Sequence, residues 1–343
     1  MTACGGGSSS NSGGTNGGHF AYVSDSSSGQ FSIYSLNSDG SLKAESYSPY
    51  GAGINPRAMV LSPDGNHLFA IDTGGARVAA FTRDASTGAL TAGNVYVPGG
   101  VGPSALVLDT AGKYLYVANS VSNDITTFSV DSSGNLTPVD SPMASGSGIS
   151  SMVITSSGDY IYAAAANNGA IDAYQENTST GVLTPLPGSP FAAPGRPNTL
   201  ALSPDGTYLV ATDGQGGQVY RFLIDANTGA LTAAPGSPLN VGGQPDAAVV
   251  DSSNKYIYWA DLENAQINVI TLDSSGNMTN GVTPITVGYA PVYVALSPSG
   301  GNLYVVNKTD STVSQFTLSN GAPTEMTTAT VATGSGPTSM LIK

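Results

Sequence analysis

Histidine is nearly missing from this chain. Its 343 residues include two histidines, one cysteine, one tryptophan and only 10 lysines and arginines. A lone cysteine, Cys4, excludes an intrachain disulfide, so the fold has no covalent staple. Ten basic residues against 23 acidic ones give a net charge of −13. That excludes nucleic acid, which needs a basic surface, and weighs against an electrostatic grip on anionic lipid. His19 and His67 are too few to build a Ser-His-Asp arrangement or a usual metal-ligand set, so neither metal nor cofactor is expected. No segment sustains a 3.6-residue apolar period, so helix is not expected either.

What the chain has instead is a repeat. Turns beginning at Ser62, Asp109, Thr155, Ser203, Asp251 and Ser297 follow one another at intervals of 46–48 residues. Copies read Leu61-Ser62-Pro63-Asp64-Gly65, Leu202-Ser203-Pro204-Asp205-Gly206 and Leu296-Ser297-Pro298-Ser299-Gly300. A period of this length, filled with strand formers, predicts an all-β propeller with four antiparallel strands per blade. One copy shows the pattern: strands at Ala105–Leu108, Tyr114–Ala118 and Ile125–Val130, then a fourth from near Leu136. The third and fourth strands are joined by Gly-containing turns, as at Ser86-Thr87-Gly88 and Asn227-Thr228-Gly229.

The two ends are incomplete copies that complement each other. The chain enters with second and third strands, Phe20–Val23 and Phe31–Tyr34, and finishes with a first strand, Gly336–Ile342. Placing the last strand inside the N-terminal three closes a seven-bladed ring over residues 19–343, one domain with no open sheet edge at the seam. Residues 1–18 are a Gly/Ser-rich tether. Small residues directly before Cys4 resemble a bacterial lipoprotein processing site, which makes Cys4 a candidate for lipidation. The expectation is an exported, monomeric propeller at the bacterial cell envelope, touching membrane only through a lipid anchor. A cytosolic protein with an unstructured tail is the competing reading.

At the second strands the chain resembles a known family. Tyr22-Val23-Ser24-Asp25, Tyr116-Val117-Ala118-Asn119 and Tyr304-Val305-Val306-Asn307 are similar to the YVTN repeats of bacterial surface propellers. The Leu-Ser-Pro-Asp-Gly turns and the Thr-Gly-Ala-Leu-Thr hairpins at 87–91 and 228–232 resemble the lactonase family, which includes 6-phosphogluconolactonase-like propellers. The resemblance implies lactone hydrolysis by His, Arg and acidic side chains around a central funnel. Asn55-Pro56-Arg57-Ala58-Met59 matches the family's Pro-Arg element, but Ala58 stands where relatives commonly carry His.

Within a repeat, what recurs is scaffold and what occurs once is a candidate site. The Asp or Asn ending each second strand recurs as Asp25, Asp72, Asn119, Asp213, Asp261 and Asn307, with Asn167 two positions late in one blade. Capping of the following turn explains these better than a ring for a cation. The entries to the first strands are more varied. Proline precedes the strand at 56, 103, 197, 245, 291 and 337, and Ile149 takes that place in the seventh copy. The flanking residues are mostly small. The large polar exceptions are Asn55, Arg57, Arg196, Asn198, Gln244 and Asp246.

These six are the candidate ligand site: two arginines facing each other across the funnel, with one carboxylate and amides nearby, suited to an anionic ligand. The bland alternative is an Arg196–Asp246 pair that binds nothing. Asp246 beside arginine is expected to have a lowered pKa and to make a poor base. Glu263 and Lys308 could line the rim, and Trp259 reads as inter-blade core. Without a funnel histidine, the residues favour a binding or scaffolding module for a small polar or anionic ligand or an envelope protein. A lactonase that uses Arg57 and Arg196 to hold substrate and Asp246 to activate water is the alternative, and a purely structural surface protein is a third.

Overall fold

The computed structural model describes residues 19–281 and 283–343. The tether, with Cys4, lies outside the described residues. All regular structure among those described is β-strand. The strands form seven antiparallel sheets arranged as a ring. We number the blades 1–7 by their second strands: Phe20–Asp25, His67–Asp72, Tyr114–Asn119, Tyr160–Ala165, Tyr208–Asp213, Tyr256–Asp261 and Asn302–Asn307. Blade 1 takes its inner strand from the other end of the chain. Pro337–Ile342 pairs with Phe20–Asp25 and lies between the inner strands of blades 7 and 2, so the ring closes as expected. In five blades the outer strand is completed by a two-residue stretch that pairs with the third strand; in blades 2 and 7 it runs unbroken as Leu90–Tyr96 and Ala322–Ala332.

The core is divided rather than single. Seven apolar clusters each lie between two neighbouring blades. Between blades 5 and 6, Trp259 packs with Tyr208, Val210 and Ile257, the core role its position suggested. Polar bonds reinforce these seams. The hydroxyls of Tyr22, Tyr162, Tyr258 and Tyr304 each donate to a glycine carbonyl in the next blade: Gly88, Gly229, Gly321 and Gly40. This explains the glycine of the repeated hairpin. Gly88 has φ +74°, and a Cβ there would lie 2.4 Å from the Phe20 ring of the preceding blade. Any other residue is strained by its backbone and excluded by its neighbour.

Among the residues ending the second strands, Asp72, Asp213 and Asp261 cap the following turn through backbone amides, whereas Asn119 and Asn307 instead donate from Nδ2 to third-strand side chains and leave Oδ1 without a partner. Asp72 Oδ1 accepts from the amides of Asn55 (3.0 Å) and Gly74 (3.1 Å), and Asp261 Oδ1 from those of Gln244 (3.0 Å), Glu263 (3.1 Å) and Asn264 (3.2 Å). Each thereby ties the turn it begins to the loop entering the inner strand. Blade 4 departs from the expected pattern. Asn167 does not serve as its cap; Asp172 of the third strand does, accepting from the Gly146 amide at 2.5 Å.

One buried charge stands out at the seam of blades 3 and 4. The seventh position of the third strand is apolar in five blades, as Leu36, Val130, Ile224, Leu272 and Leu318, but is Arg83 in blade 2 and Glu176 in blade 4. Both its carboxylate oxygens are buried without a hydrogen-bond partner, and so is the Tyr116 hydroxyl nearby. Burial raises the Glu176 carboxyl from 4.5 to about 7; Tyr116 opposes the rise, and Asp109 and Asp159 add to it. A group whose folded pKa is raised favours folding below its unfolded pKa and loses that contribution as pH climbs through the folded one. Glu176 therefore destabilises the ring most above neutrality. Glu176→Leu should raise the melting temperature at pH 8 by roughly 5 °C, from about 2 kcal/mol, and gain much less at pH 5. Equal gains at both pH values would show that ionisation is not the cause.

Candidate active site

The inner strands surround a central channel of about 780 Å³. What enters it is decided by backbone register. In six blades the inner strand begins with a β-bulge, where pairing with the second strand skips: Arg57-Ala58, Ser104, Ser150, Asp246, Val292 and Thr338 fall in the skipped positions. In blade 5 the equivalent Asn198 lies just before its strand, Thr199–Leu202. A bulged residue is freed from the ladder and re-aimed, and these side chains line the channel. In five of these six blades a proline before the bulge fixes the approach and needs no ladder donor; in blade 4 Ile149 takes its place.

Most of this ring joins one blade to the next. Ser104 Oγ donates to the Ile149 carbonyl (2.6 Å), and Ser150 Oγ to that of Asn198 (2.7 Å). Asn198 Nδ2 donates to Asp246 Oδ1 (2.5 Å). The Arg57 carbonyl accepts from Ser24 (2.8 Å), Thr338 (3.1 Å) and Ser339 (2.6 Å). Three charged side chains line the channel: Arg57, Asp246 and Lys308. The only ion pair among the described residues is Arg77–Asp72, away from the channel, so both channel cations lack a close anion there.

Asp246 departs from its expected chemistry. Burial raises its pKa above the ordinary carboxylate value, against the lowering pull of Arg57, of Lys308 and of the Asn198 bond. Proximity to arginine is a real effect here, but desolvation is larger. The group is thus a better proton acceptor than its neighbours alone suggest.

The six candidate residues separate into two sets. Arg57, Asn198 and Asp246 line the channel, and Lys308 joins them from the turn after Asn302–Asn307. Asn55, Arg196 and Gln244 are exposed outside it. Arg196 neither faces Arg57 across the funnel nor pairs with Asp246; its guanidinium donates to Asn167 Oδ1 (2.9 Å) on the neighbouring blade. Glu263 is exposed and also outside the channel. His19 and His67 do not line it. One lining residue that the reading of strand entries missed is Tyr293. Its signal was present in the inner strands, where it is the single aromatic at its repeat position.

Comparison with known proteins places this arrangement. The family model described as "Lactonase, 7-bladed beta-propeller" matches residues 13–102 and 92–194, together more than half of the chain. The model described as "SMP-30/Gluconolactonase/LRE-like region" matches residues 193–309. A 6-phosphogluconolactonase of Formosa agariphila is 33% identical over 92 residues, a match that covers 25% of this chain and 26% of that enzyme. Among solved structures, a candidate 6-phosphogluconolactonase of Bacteroides fragilis superposes with a TM-score of 0.82 at 20% identity, covering 96% of this chain and 99% of its own. The periplasmic gluconolactonase of Pseudomonas aeruginosa gives 0.80 at 21% identity, covering 94% and 99%.

At these identities the structural likenesses establish the fold. The family and sequence matches overturn the expectation that the chain is primarily a binding or scaffolding module, and they favour the lactonase alternative. The argument from missing histidine loses weight here, because burial raises the Asp246 carboxyl above its ordinary value despite the cations nearby. The chain belongs to the seven-bladed β-propeller lactonase family.

Proposed function

We propose that the chain hydrolyses a sugar lactone carrying an anionic group, of the 6-phosphogluconolactone type, in its central channel. The observation that carries this reading is a raised-pKa carboxylate, Asp246, in a channel whose other charged side chains are the two cations Arg57 and Lys308. Asp246 takes a proton from water as the water oxygen adds to the lactone carbonyl carbon. The bond from that carbon to the ring oxygen then breaks, and the ring oxygen leaves as a hydroxyl with the proton returned from Asp246. Arg57 and Lys308 hold the substrate's anionic group and offset the charge that grows on the carbonyl oxygen. Lys308 thus takes the part first given to Arg196.

The test is hydrolysis of δ-gluconolactone and its 6-phosphate, followed above the spontaneous rate. Arg57→Ala and Lys308→Ala should each lower kcat/KM for the phosphorylated lactone by about tenfold or more, and for the neutral one by less. No turnover of any lactone above buffer would remove the reading. Location belongs to the same proposal: export, with lipidation of Cys4 at the cell envelope. An N-terminal peptide from native cells that is heavier by acyl chains on Cys4 supports it, and an unmodified Cys4 refutes it.

A further inference from the structure

The repeat exposes one side chain that the mechanism above does not use. Two residues after the proline or Ile149 that opens each inner strand stand Ala58, Ala105, Ser151, Thr199, Ala247 and Ser339, all small. Several of these serve the belt between blades: Thr199 Oγ1 donates to the Asp246 carbonyl (2.6 Å), and Ser151 Oγ accepts from the Leu200 amide (3.1 Å). In blade 7 the position is Tyr293. Its ring packs against the apolar cluster shared by blades 7 and 1, which includes Met340, and the residue lines the channel. Its hydroxyl makes no hydrogen bond to a described residue, whereas of the five seam tyrosines at the third position of a second strand, Tyr22, Tyr162, Tyr258 and Tyr304 donate to the next blade and only Tyr116, buried away from the channel beside Glu176, does not. Burial raises its pKa, with no charged neighbour contributing, so the phenol stays neutral and can both donate and accept. Packing alone would be served equally by phenylalanine. A partly buried phenol hydroxyl at the channel wall with no protein partner is free to bond a ligand that enters.

We propose that Tyr293 is a substrate-contact residue whose hydroxyl bonds a hydroxyl oxygen of the lactone, so that the channel selects polyhydroxylated sugar lactones over aliphatic lactones of the same ring size. This rests on the lactonase reading. A site built to bond a substrate hydroxyl discriminates strongly against an analogue lacking it, because its own polar group is then left unpaired. The test compares kcat/KM for δ-gluconolactone and δ-valerolactone in the wild type and in Tyr293→Phe, with thermal melting of both proteins. The phenyl ring keeps its packing against blade 1, so the melting temperatures should agree, while the preference for the sugar lactone falls about tenfold. An unchanged preference, or equal losses on both substrates, overturns the proposal. If the wild type hydrolyses neither lactone, the lactonase reading fails by itself. Calorimetric binding of gluconate then decides for Tyr293. A tenfold weaker affinity in Tyr293→Phe supports the contact; equal affinity, or no binding to wild type, overturns it.

Discussion

A chain ending at Ser335 should not melt as a single cooperative unit near the wild-type temperature. Residues 336–343 supply the inner strand of blade 1, which pairs with Phe20–Asp25 from Ala21–Ile342 to Asp25–Pro337. They bring Met340 into the core between blades 7 and 1, and Leu341 into the core between blades 1 and 2. They also carry two of the three hydroxyls on the Arg57 carbonyl. Losing the strand removes these contacts and bares the ladder edge of Phe20–Asp25 together with faces of both neighbouring inner strands. Removing large buried apolar side chains costs about 2–5 kcal/mol each, so the sum rivals the whole stability of an ordinary domain. The expected result in circular dichroism is a transition lowered by about 10 °C or more, or aggregation on expression. A synthetic peptide of residues 336–343 added in excess should restore part of the loss. A truncated chain melting within a few degrees of wild type would show that the seam does not hold the ring.

Asp246→Asn should abolish most lactone hydrolysis while leaving the ring as stable as before, or more stable at neutral pH. Removing a general base typically costs 10²–10⁴-fold in rate. The amide keeps the shape of the carboxylate and can still accept from Asn198. The stability effect follows from the raised pKa: a folded-state value above the unfolded one favours folding at low pH, and that contribution is lost as pH rises through the folded value. Asparagine cannot ionise, so it escapes the penalty. The wild-type rate should correspondingly fall as pH drops through the Asp246 pKa, which lies above the ordinary 3.8. Loss of activity together with loss of folding would instead mark Asp246 as scaffold. Retained activity would move the base elsewhere.

The fold could be read from the chain because its signals are local and repeated. Pro at the entry of Pro245–Val250 and Gly88 in its hairpin each have a single backbone use, and recurrence removes the ambiguity that any one copy carries. The site could be read only in part. Residues on either side of the entry proline look equivalent in sequence, but the bulge separates them. Asp246 falls in the skipped position and enters the channel, whereas Gln244 has its amide tied to Asp261 and its side chain in solvent. Register shifts of this kind leave no mark in composition. The same is true of burial. The charges near Asp246 could be guessed from the chain, but the desolvation that outweighs them depends on the whole ring. Lys308 is legible because it breaks the repeat, and Tyr293 breaks it equally plainly, one residue beyond the ring of strand entries.

A bulged residue takes no part in strand pairing, so exchanging it alters what the channel presents while the ladder of its own blade stays intact. In six blades that position is set beside a fixed ladder, and in five of them behind a proline. The fold therefore behaves as a turret with interchangeable heads around one axis. Here few heads are charged, and the rest hold neighbouring blades together. New specificity in such a ring can arise one blade at a time, and the blades that carry no chemistry are held in reserve.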